Sequence, residues 1–371
     1  MSRIRLVVAT FLAAFLLLGT IDAASASVSA TPDRTAAVNG TVWAVTQVGN
    51  RTIIGGDFTT VGGLPRQNAA AILADGSVDP TFAPNPDGIV YAVAGSTDGS
   101  RVFLGGVFAN AGGVAQSRLA AVDATTGAAV PGWTTGANGD VLALAVNGNR
   151  LYAGGRFTTI GAGISRPRLA AVDTTTGAVQ TGFNPRPNWT VRALVVSPDG
   201  TKVYPVGGFT AVGGQERKLG AAEVLATTGA ATTFNPTTGG VALAAELSPD
   251  GSRFFFSTTN NRIHAYDPAV SSTPVWVAQS KGDTQAIASS ATEVYVGGHF
   301  SGFGDRAKRN RIASLSFATG ATTAWNPGAN GTMGVWAMEV TPTHLLVGGE
   351  FTRIGGLVRP GFARFTGTPT P

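Results

Sequence analysis

Cysteine is absent from this chain of 371 residues, which excludes disulfide bonds, thiol catalysis and metal sites with cysteine ligands. Histidine is scarce as well: there are only 3, and no pair of them has a spacing typical of zinc ligands. His264, His299 and His344 fall in different parts of the repeated units described below. We therefore expect no metal site, no cofactor and no histidine-based catalytic triad.

Charged side chains are also few, at 13% of the residues, and the formal net charge is +5. So small an excess of positive charge, spread over so long a chain, does not form the basic stripe that binds nucleic acid. Nucleic acid is thus not an expected partner.

Only one long hydrophobic run is present, at residues 6–18. Arg3 and Arg5 precede it, and small residues around Ala24-Ser25-Ala26 follow it, which is the pattern of a cleavable signal peptide. The run is too short to span a membrane as a helix. We expect residues 1–26 to be removed, and residues 27–371 to be secreted as a single domain that is a monomer and has no membrane contact.

The rest of the sequence consists of seven copies of one unit. A valine-like residue opens each copy, and the spacing between successive copies is 43 to 51 residues. We number the units one to seven by these positions: Val42, Val90, Val141, Val191, Val241, Thr284 and Val335. A period near 50 with four short strands per copy is typical of a β-propeller.

Each unit has the pattern of four strands. Asn-Gly or Asp-Gly turns follow the first strand, as at Asn147-Gly148, and such pairs favour tight hairpins. The second strand ends in Gly-Gly with a Phe two residues later, as at Gly105-Gly106 and Phe108. Glycine allows neighbouring backbone to approach, and the Phe is expected to fill the space between sheets. The fourth strand ends in a large aromatic residue, as at Trp133. We predict an all-β fold, a single seven-bladed β-propeller of four-stranded blades.

Residues 64–84, L-P-R-Q-N-A-A-A-I-L-A-D-G-S-V-D-P-T-F-A-P, follow the segment G-G-D-F-T-T-V-G-G. This block resembles the delta-60 repeat of secreted bacterial propellers, which is similar to the kelch repeat in carrying Gly-Gly after the second strand. The resemblance covers residues 40–371. It implies a β-propeller and no established activity. Unit four departs from it by placing Val206 at the first glycine, and unit five has no Gly-Gly at all.

The last unit stops after its third strand, and the first unit is preceded by an extra segment, residues 27–40. An unpaired sheet edge is a liability that closure removes. We therefore predict that this N-terminal segment supplies the fourth strand of the last unit.

Arginines recur just before the third strand, at Arg66, Arg118, Arg168, Arg217, Arg311 and Arg359. Their recurrence favours structural bonds to neighbouring loops over a basic ring that binds an anionic polymer.

Two carboxylates in the loops before the first strand are candidates for catalysis. Asp87 and Asp140 belong to adjacent units, and a facing pair would supply the acid and base of a glycoside hydrolase. Both also fit ordinary turn chemistry.

The second residue of the first strand is aromatic in three consecutive units of a closed ring: Trp43, Tyr91 and Trp336. The other units carry unrelated residues there: Leu142, Arg192, Ala242 and Gln285. Aromatic faces suit sugar rings, with Arg192, Gln285 and the loop residue Trp189 as neighbours. The alternative for the three aromatic residues is packing between sheets.

These observations leave three classes of function open. The first is a secreted, non-catalytic propeller that binds an extracellular polysaccharide or a surface protein. The second is an extracellular carbohydrate-active hydrolase or lyase that uses Asp87 and Asp140. The third is a structural component of the cell wall or matrix. The fold alone does not choose among them.

Overall fold

The computed structural model describes residues 28–304 and 307–367, and this part of the chain consists of strands, turns and loops without a helix. None of it forms a helix that is long and apolar enough to cross a membrane. The signal peptide predicted at residues 1–26 lies outside the described residues.

Seven main antiparallel sheets follow one another along the chain, one for each unit. The first strands are β1 (Thr41–Val48), β6 (Val90–Gly95), β11 (Val141–Asn147), β16 (Val191–Val196), β21 (Ala242–Leu247), β25 (Thr284–Ser289) and β30 (Val335–Val340). The second strands are β2 (Arg51–Asp57), β7 (Arg101–Gly106), β12 (Arg150–Gly155), β17 (Lys202–Gly207), β22 (Phe254–Thr258), β26 (Glu293–Gly298) and β31 (His344–Gly349). The third strands are β5 (Ala69–Ile72), β10 (Leu119–Asp123), β15 (Leu169–Asp173), β20 (Val224–Leu225), β23 (Arg262–Tyr266), β29 (Ile312–Ser316) and β34 (Phe362–Thr366).

The fourth strand is a full strand in unit five alone among the described residues, as β24 (Pro274–Gln279). In units one to four and in unit six a single bridge to the third strand stands in its place. These bridges are Val78 to Ile72, Ala129 to Val122, Val179 to Val172, Ala231 to Val224 and Thr322 to Leu315. The predicted aromatic residue after it is nevertheless buried, as at Trp133.

In six units the loop between the second and third strands forms a small hairpin, and each of its two strands is two residues long. The hairpins pair β3 (Thr60–Val61) with β4 (Leu64–Pro65), β8 (Asn110–Ala111) with β9 (Val114–Ala115), β13 (Thr159–Ile160) with β14 (Ile164–Ser165), β18 (Ala211–Val212) with β19 (Gln215–Glu216), β27 (Gly302–Phe303) with β28 (Ala307–Lys308), and β32 (Arg353–Ile354) with β33 (Leu357–Val358). These hairpins lie at the end of the molecule where the first strands begin.

The hydrophobic core is divided into seven clusters, and each joins two neighbouring units. The cluster between units two and three, for example, joins Phe103 to Val141 and Phe157. Another joins Leu346 of unit seven to Val42 of unit one. The first strands accordingly lie side by side in chain order, with β30 beside β1.

The two glycines of each Gly-Gly pair have different roles. A Cβ atom on Gly105 would lie 2.7 Å from Cγ1 of Val141 in the next unit. A Cβ atom on Gly106 would lie 2.0 Å from the carbonyl oxygen of Ile89, just before the first strand of its own unit. The first glycine thus permits contact between sheets, and the second permits close backbone contact within a sheet.

Unit five corrects the predicted alignment of the repeats. Its first strand pairs Ala242, not Val241, with Thr258, at the position where Val42 pairs with Gly56 in unit one. Val206 and Ala242 belong to the same apolar cluster. Because Val206 replaces a glycine, the next sheet carries alanine where the units that follow a Gly-Gly pair carry valine, and this exchange hides the true start of the strand.

The described part of the N-terminal segment contacts the last unit. The backbone N–H groups of Ser29 and Asp33 donate to the carbonyls of Thr366 and Arg364 in β34. The Asp33 carboxylate pairs with Nε of Arg364 at 2.8 Å. Val28 is buried in the cluster that joins units six and seven.

The recurring arginines occupy two positions rather than one. Arg66 and Arg217 are buried and donate to carbonyls before the fourth-strand aromatic, as Arg66 does to Pro80 at 2.7 Å. Arg118, Arg168 and Arg311 instead have φ near +64°. Arg118 and Arg168 also donate to loop carbonyls. These contacts are structural, as the recurrence indicated.

Candidate functional site

A β-bulge recurs near the start of each first strand and directs one side chain toward the molecular axis. In unit one the register shifts between Val42 and Ala44, so that Trp43 has no partner in the ladder. Bulges commonly re-aim a side chain in this way. We call the seven bulged residues the bulge ring: Trp43, Tyr91, Leu142, Arg192, Leu243, Gln285 and Trp336. Leu243 replaces the residue predicted from sequence, Ala242, because of the shifted start of unit five.

All seven residues of the bulge ring line one cavity of about 250 Å³, which we call the mouth cavity. Trp43 contacts both aromatic neighbours: its ring centroid lies 4.3 Å from that of Trp336 and 5.8 Å from that of Tyr91, the latter edge to face. The three predicted aromatic residues therefore form one continuous wall. They are partly buried and border open space.

Several polar groups in the mouth cavity have no partner. The indole Nε1 atoms of Trp43 and Trp336 are buried and form no hydrogen bond within residues 28–304 and 307–367. The side chains of Arg192 and Gln285 likewise form no hydrogen bond or ion pair in this part of the chain. Partial burial and the charge of nearby Arg156 lower the pKa of Arg192, although an arginine stays protonated near neutral pH. The indole nitrogens are closed to solvent, so the polar side-chain groups that the cavity offers a ligand are the Arg192 guanidinium and the Gln285 amide.

Trp189 lies in the loop before unit four and is 63% exposed. A Cβ atom on Gly208 would lie 2.7 Å from Cδ1 of its ring. Gly208 follows the second strand, where other units carry a side chain, so its hydrogen atom leaves room for the indole. Trp189 is held at the rim outside the mouth cavity, on the same end of the molecule as the loop at residues 303–311, of which residues 305–306 lie outside the described chain.

Asp87 fastens the loop of its own unit. Its carboxylate accepts hydrogen bonds from the backbone N–H groups of Ala109 and Asn110 at 2.7 and 2.9 Å, and from Nδ2 of Asn110 at 2.6 Å. These bonds lower its pKa. Asparagines make the same two backbone contacts in four other units: Asn39, Asn138, Asn188 and Asn330. We call this contact the loop clamp.

Asp140 occupies a different position in its unit. It lies two residues after the clamp residue Asn138, and its carboxylate pairs with Arg156 at 3.1 Å. Neither Asp87 nor Asp140 lines the mouth cavity. The structure therefore does not bring these two predicted carboxylates into one site.

Two other carboxylates, which the sequence analysis missed, lie along the axis. Glu246 and Glu339 are the fifth residues of their first strands in this register and line a second cavity of about 650 Å³, which we call the acidic cavity. Ser289 Oγ donates to Glu246 at 3.3 Å, and the backbone N–H of Gln47 donates to Glu339 at 3.1 Å. Burial raises the pKa of Glu246 to about 8, with a contribution from the charge of Glu339. Burial also raises the pKa of Glu339 to about 7.

The signal for this pair was present in the sequence, as a lone glutamate inside an otherwise apolar strand in A-L-A-A-E-L and V-W-A-M-E-V. The described residues contain no group of three or more His, Asp or Glu side chains that could hold a metal ion. His264 is buried and stacks on the ring of Phe256, and burial lowers its pKa to about 4.

Comparison with known proteins identifies the class of fold. Residues 50–82 and 344–367 match the family model "Domain of unknown function (DUF5122) beta-propeller". No curated protein matches the chain by sequence. The chain is therefore a β-propeller, and the expectation that the delta-60 resemblance raised about the fold is confirmed at that level.

Solved structures give the same result. The WD40 β-propeller domain of Doa1 superposes with a TM-score of 0.61 at 12% identity, over 92% of this chain and 96% of that chain. A chain of the mitotic checkpoint complex gives a TM-score of 0.63 at 17% identity, over 98% of both chains. The designed Ika8 protein gives 0.55 at 11%, over 92% of this chain and all of that chain. Likeness at such low identity concerns the fold alone.

Proposed function

We propose that this chain is a secreted, non-catalytic β-propeller that binds an extracellular glycan at the mouth cavity. One observation carries the proposal: Trp43, Tyr91 and Trp336 form a continuous aromatic wall in a cavity that two polar side chains without hydrogen bonds in the described chain, Arg192 and Gln285, also line. Sites for small ligands combine an apolar wall with a few polar groups in this way. The surface-protein alternative is less favoured, because the polar groups lie inside a concavity.

The proposal includes a finer description of the fold. The seven units are the blades of a seven-bladed propeller, and the N-terminal segment pairs with β34 in place of the missing fourth strand. Support comes from the backbone hydrogen bonds of Ser29 and Asp33 and from the cluster that joins Leu346 to Val42. A closed ring would hold the bulge ring at a fixed diameter, which a binding site requires.

The absence of catalysis is part of the proposal. A hydrolase or lyase needs a facing acid and base, and the candidates for that role have other partners. Asp87 belongs to a loop clamp that asparagine forms in four other units, and Asp140 pairs with Arg156. A carboxylate in a position that tolerates asparagine is poorly suited to proton transfer.

Binding is tested by calorimetry and intrinsic fluorescence with soluble cell-wall and plant polysaccharides. We expect the parent protein to bind at least one of them, and the double variant Trp43→Ala with Trp336→Ala to bind at least tenfold more weakly. Val270, which is 78% exposed and outside the mouth cavity, supplies the control variant Val270→Ala. Circular dichroism establishes that each variant is folded.

Equal affinity of the parent and the folded double variant would overturn the assignment of the site. Release of reducing sugars by the parent protein, with loss of that activity in Asp87→Asn, would restore the hydrolase alternative.

A further inference from the structure

Arg192 is the only charged residue of the bulge ring. The first strands follow one another around the axis, so the fourth unit lies opposite the first and seventh units. The guanidinium therefore belongs to the side of the mouth cavity that faces the aromatic wall of Trp43 and Trp336. A ligand in this cavity meets aromatic faces on one side and a positive charge on the other.

No carboxylate of the described residues neutralises that charge. Near the mouth, Asp140 is paired with Arg156, and Asp283 lies 3.7 Å from His299. Asp57 and Glu350 are exposed at the rim of units one and seven, beside the aromatic wall rather than beside Arg192. The electrostatic asymmetry favours a ligand whose negative group points toward unit four.

The unpartnered donors add a second requirement. The Arg192 guanidinium and the Gln285 amide line the cavity and form no hydrogen bond within the described residues, so a ligand with oxygen atoms supplies their missing partners. A guanidinium binds a carboxylate through two parallel hydrogen bonds. The mouth cavity, at about 250 Å³, is smaller than the roughly 300–1,000 Å³ typical of sites for drug-sized ligands. It therefore suits one ring rather than a long segment.

Building on the proposed function, we infer that the ligand is an acidic polysaccharide and that one sugar ring bearing a carboxylate occupies the mouth cavity. The ring stacks on the aromatic wall. Its carboxylate pairs with Arg192, and the Gln285 amide bonds to a hydroxyl group. A flexible polymer of phosphodiesters without rings satisfies Arg192 but not the aromatic wall.

The experiment compares polymers that differ in one property. Polygalacturonate presents carboxylates on sugar rings, its methyl ester presents the same rings without charge, and a poly(glycerol phosphate) presents charge without rings. Calorimetry at 50 and 300 mM salt is carried out on the parent, Arg192→Gln and Arg192→Lys. Arg186→Gln is the matched control, because Arg186 is an exposed arginine of the loop before unit four that does not line the cavity.

We expect the parent to bind polygalacturonate at least tenfold more tightly than either other polymer. Arg192→Gln should remove most of that preference, Arg192→Lys should retain part of it, and Arg186→Gln should change affinity less than twofold. Equal binding of the acid and its ester, or equal effects of Arg192→Gln and Arg186→Gln, would overturn the inference and leave the glycan site intact. Tighter binding of poly(glycerol phosphate) would also overturn it. If a panel of neutral and acidic polysaccharides gives no binding at all, the proposed function itself fails.

Discussion

Residues that recur in equivalent positions of several units show which polar contacts stabilise the fold. The loop clamp uses aspartate in unit two and asparagine in four other units, always accepting from two consecutive backbone N–H groups. The requirement is an oxygen acceptor of the right length, because amide and carboxylate both meet it. Asp87 is thus explained by the fold without reference to a reaction.

We expect Asp87→Asn to change the free energy of unfolding by less than ~0.5 kcal/mol, because the amide oxygen replaces the carboxylate oxygen. Asp87→Ala should lower the free energy of unfolding by about 1 kcal/mol, because the two backbone N–H groups then have no protein acceptor and bond only to water. Urea unfolding measures both. Equal destabilisation by the two substitutions would show that the charge, rather than the acceptor, is what the loop requires.

The glutamates of the acidic cavity predict a pH dependence. Their pKa values of about 8 and about 7 in the folded protein exceed the ordinary value of 4.5, so the folded state binds more protons than the unfolded state at intermediate pH. Stability should therefore fall as the pH rises from about 5 to 8. Because both side chains border an open cavity and are only partly buried, we expect a loss of ~1–3 kcal/mol rather than the full value for two buried groups.

The measurement is urea unfolding of the parent and of the double variant Glu246→Gln with Glu339→Gln at pH 5, 6.5 and 8. The two proteins share every other titrating group, including His264, so their difference isolates the pair. Glu216→Gln, at an exposed position, is the control. A constant difference between parent and double variant across this range would contradict the raised pKa values.

At the scale of sheets, the residues that face each other across the interface of two neighbouring units have complementary sizes. Where the second strand of one unit carries glycine at the contact, the first strand of the next unit carries valine, as Gly105 faces Val141. Where the second strand carries Val206, the next first strand begins with Ala242. Volume conserved across a contact preserves packing even when both residues change.

This relationship predicts strong coupling between residues 206 and 242. Ala242→Val should destabilise the protein by about 1–3 kcal/mol through overpacking. Val206→Gly alone should destabilise it by a similar amount through a cavity and a more flexible strand. The double variant should be more stable than the sum of the two effects predicts, by at least ~1 kcal/mol. Additive effects in a double-mutant cycle of urea unfolding would refute the proposed contact.

The sequence predicted the propeller fold because one pattern is written seven times and its glycine and phenylalanine positions have a packing meaning. It also predicted that Trp43, Tyr91 and Trp336 are equivalent positions of consecutive units, and the bulge at that position makes all three line one cavity. It failed at Leu243. Val206 and Ala242 stand where most units carry glycine and valine, and this placed the predicted start of the strand at Val241, one residue too early. It missed Glu246 and Glu339, although each is a lone glutamate in an otherwise apolar strand, because the bulge decides which residues of the strand face the axis.

For the whole molecule, the contacts of the N-terminal segment join the ends of the chain. Asp33 accepts from Arg364 Nε and from Thr366 Oγ1, both at 2.8 Å from Oδ2, and its backbone oxygen accepts from Arg359. Val28 and Val38 are each 2% exposed and belong to clusters that include residues of unit seven. These contacts connect residues more than 300 positions apart in the sequence.

Deleting residues 28–38 should lower the melting temperature by at least about 5 °C. The loss of two buried valines alone removes about 3–6 kcal/mol, and a large domain shifts by about 2–4 °C for each kcal/mol. Differential scanning calorimetry measures the shift, with Thr31→Ala at an exposed position as the control. An unchanged melting temperature would show that the ring holds without this segment.

The bulge has a consequence for how the proposed binding site can change. A bulged residue has no partner in the ladder, so its side chain can be exchanged while the strand pairing on either side stays the same. The alanine that follows it is present in all seven units and keeps the adjoining wall uniform: Ala44, Ala92, Ala143, Ala193, Ala244, Ala286 and Ala337. We therefore expect substitutions at the seven bulge positions to leave folding intact, both in natural divergence and in engineering. A library confined to these seven codons should yield propellers with new specificities, and Arg192→Glu in such a library should reverse the charge of the ligand selected.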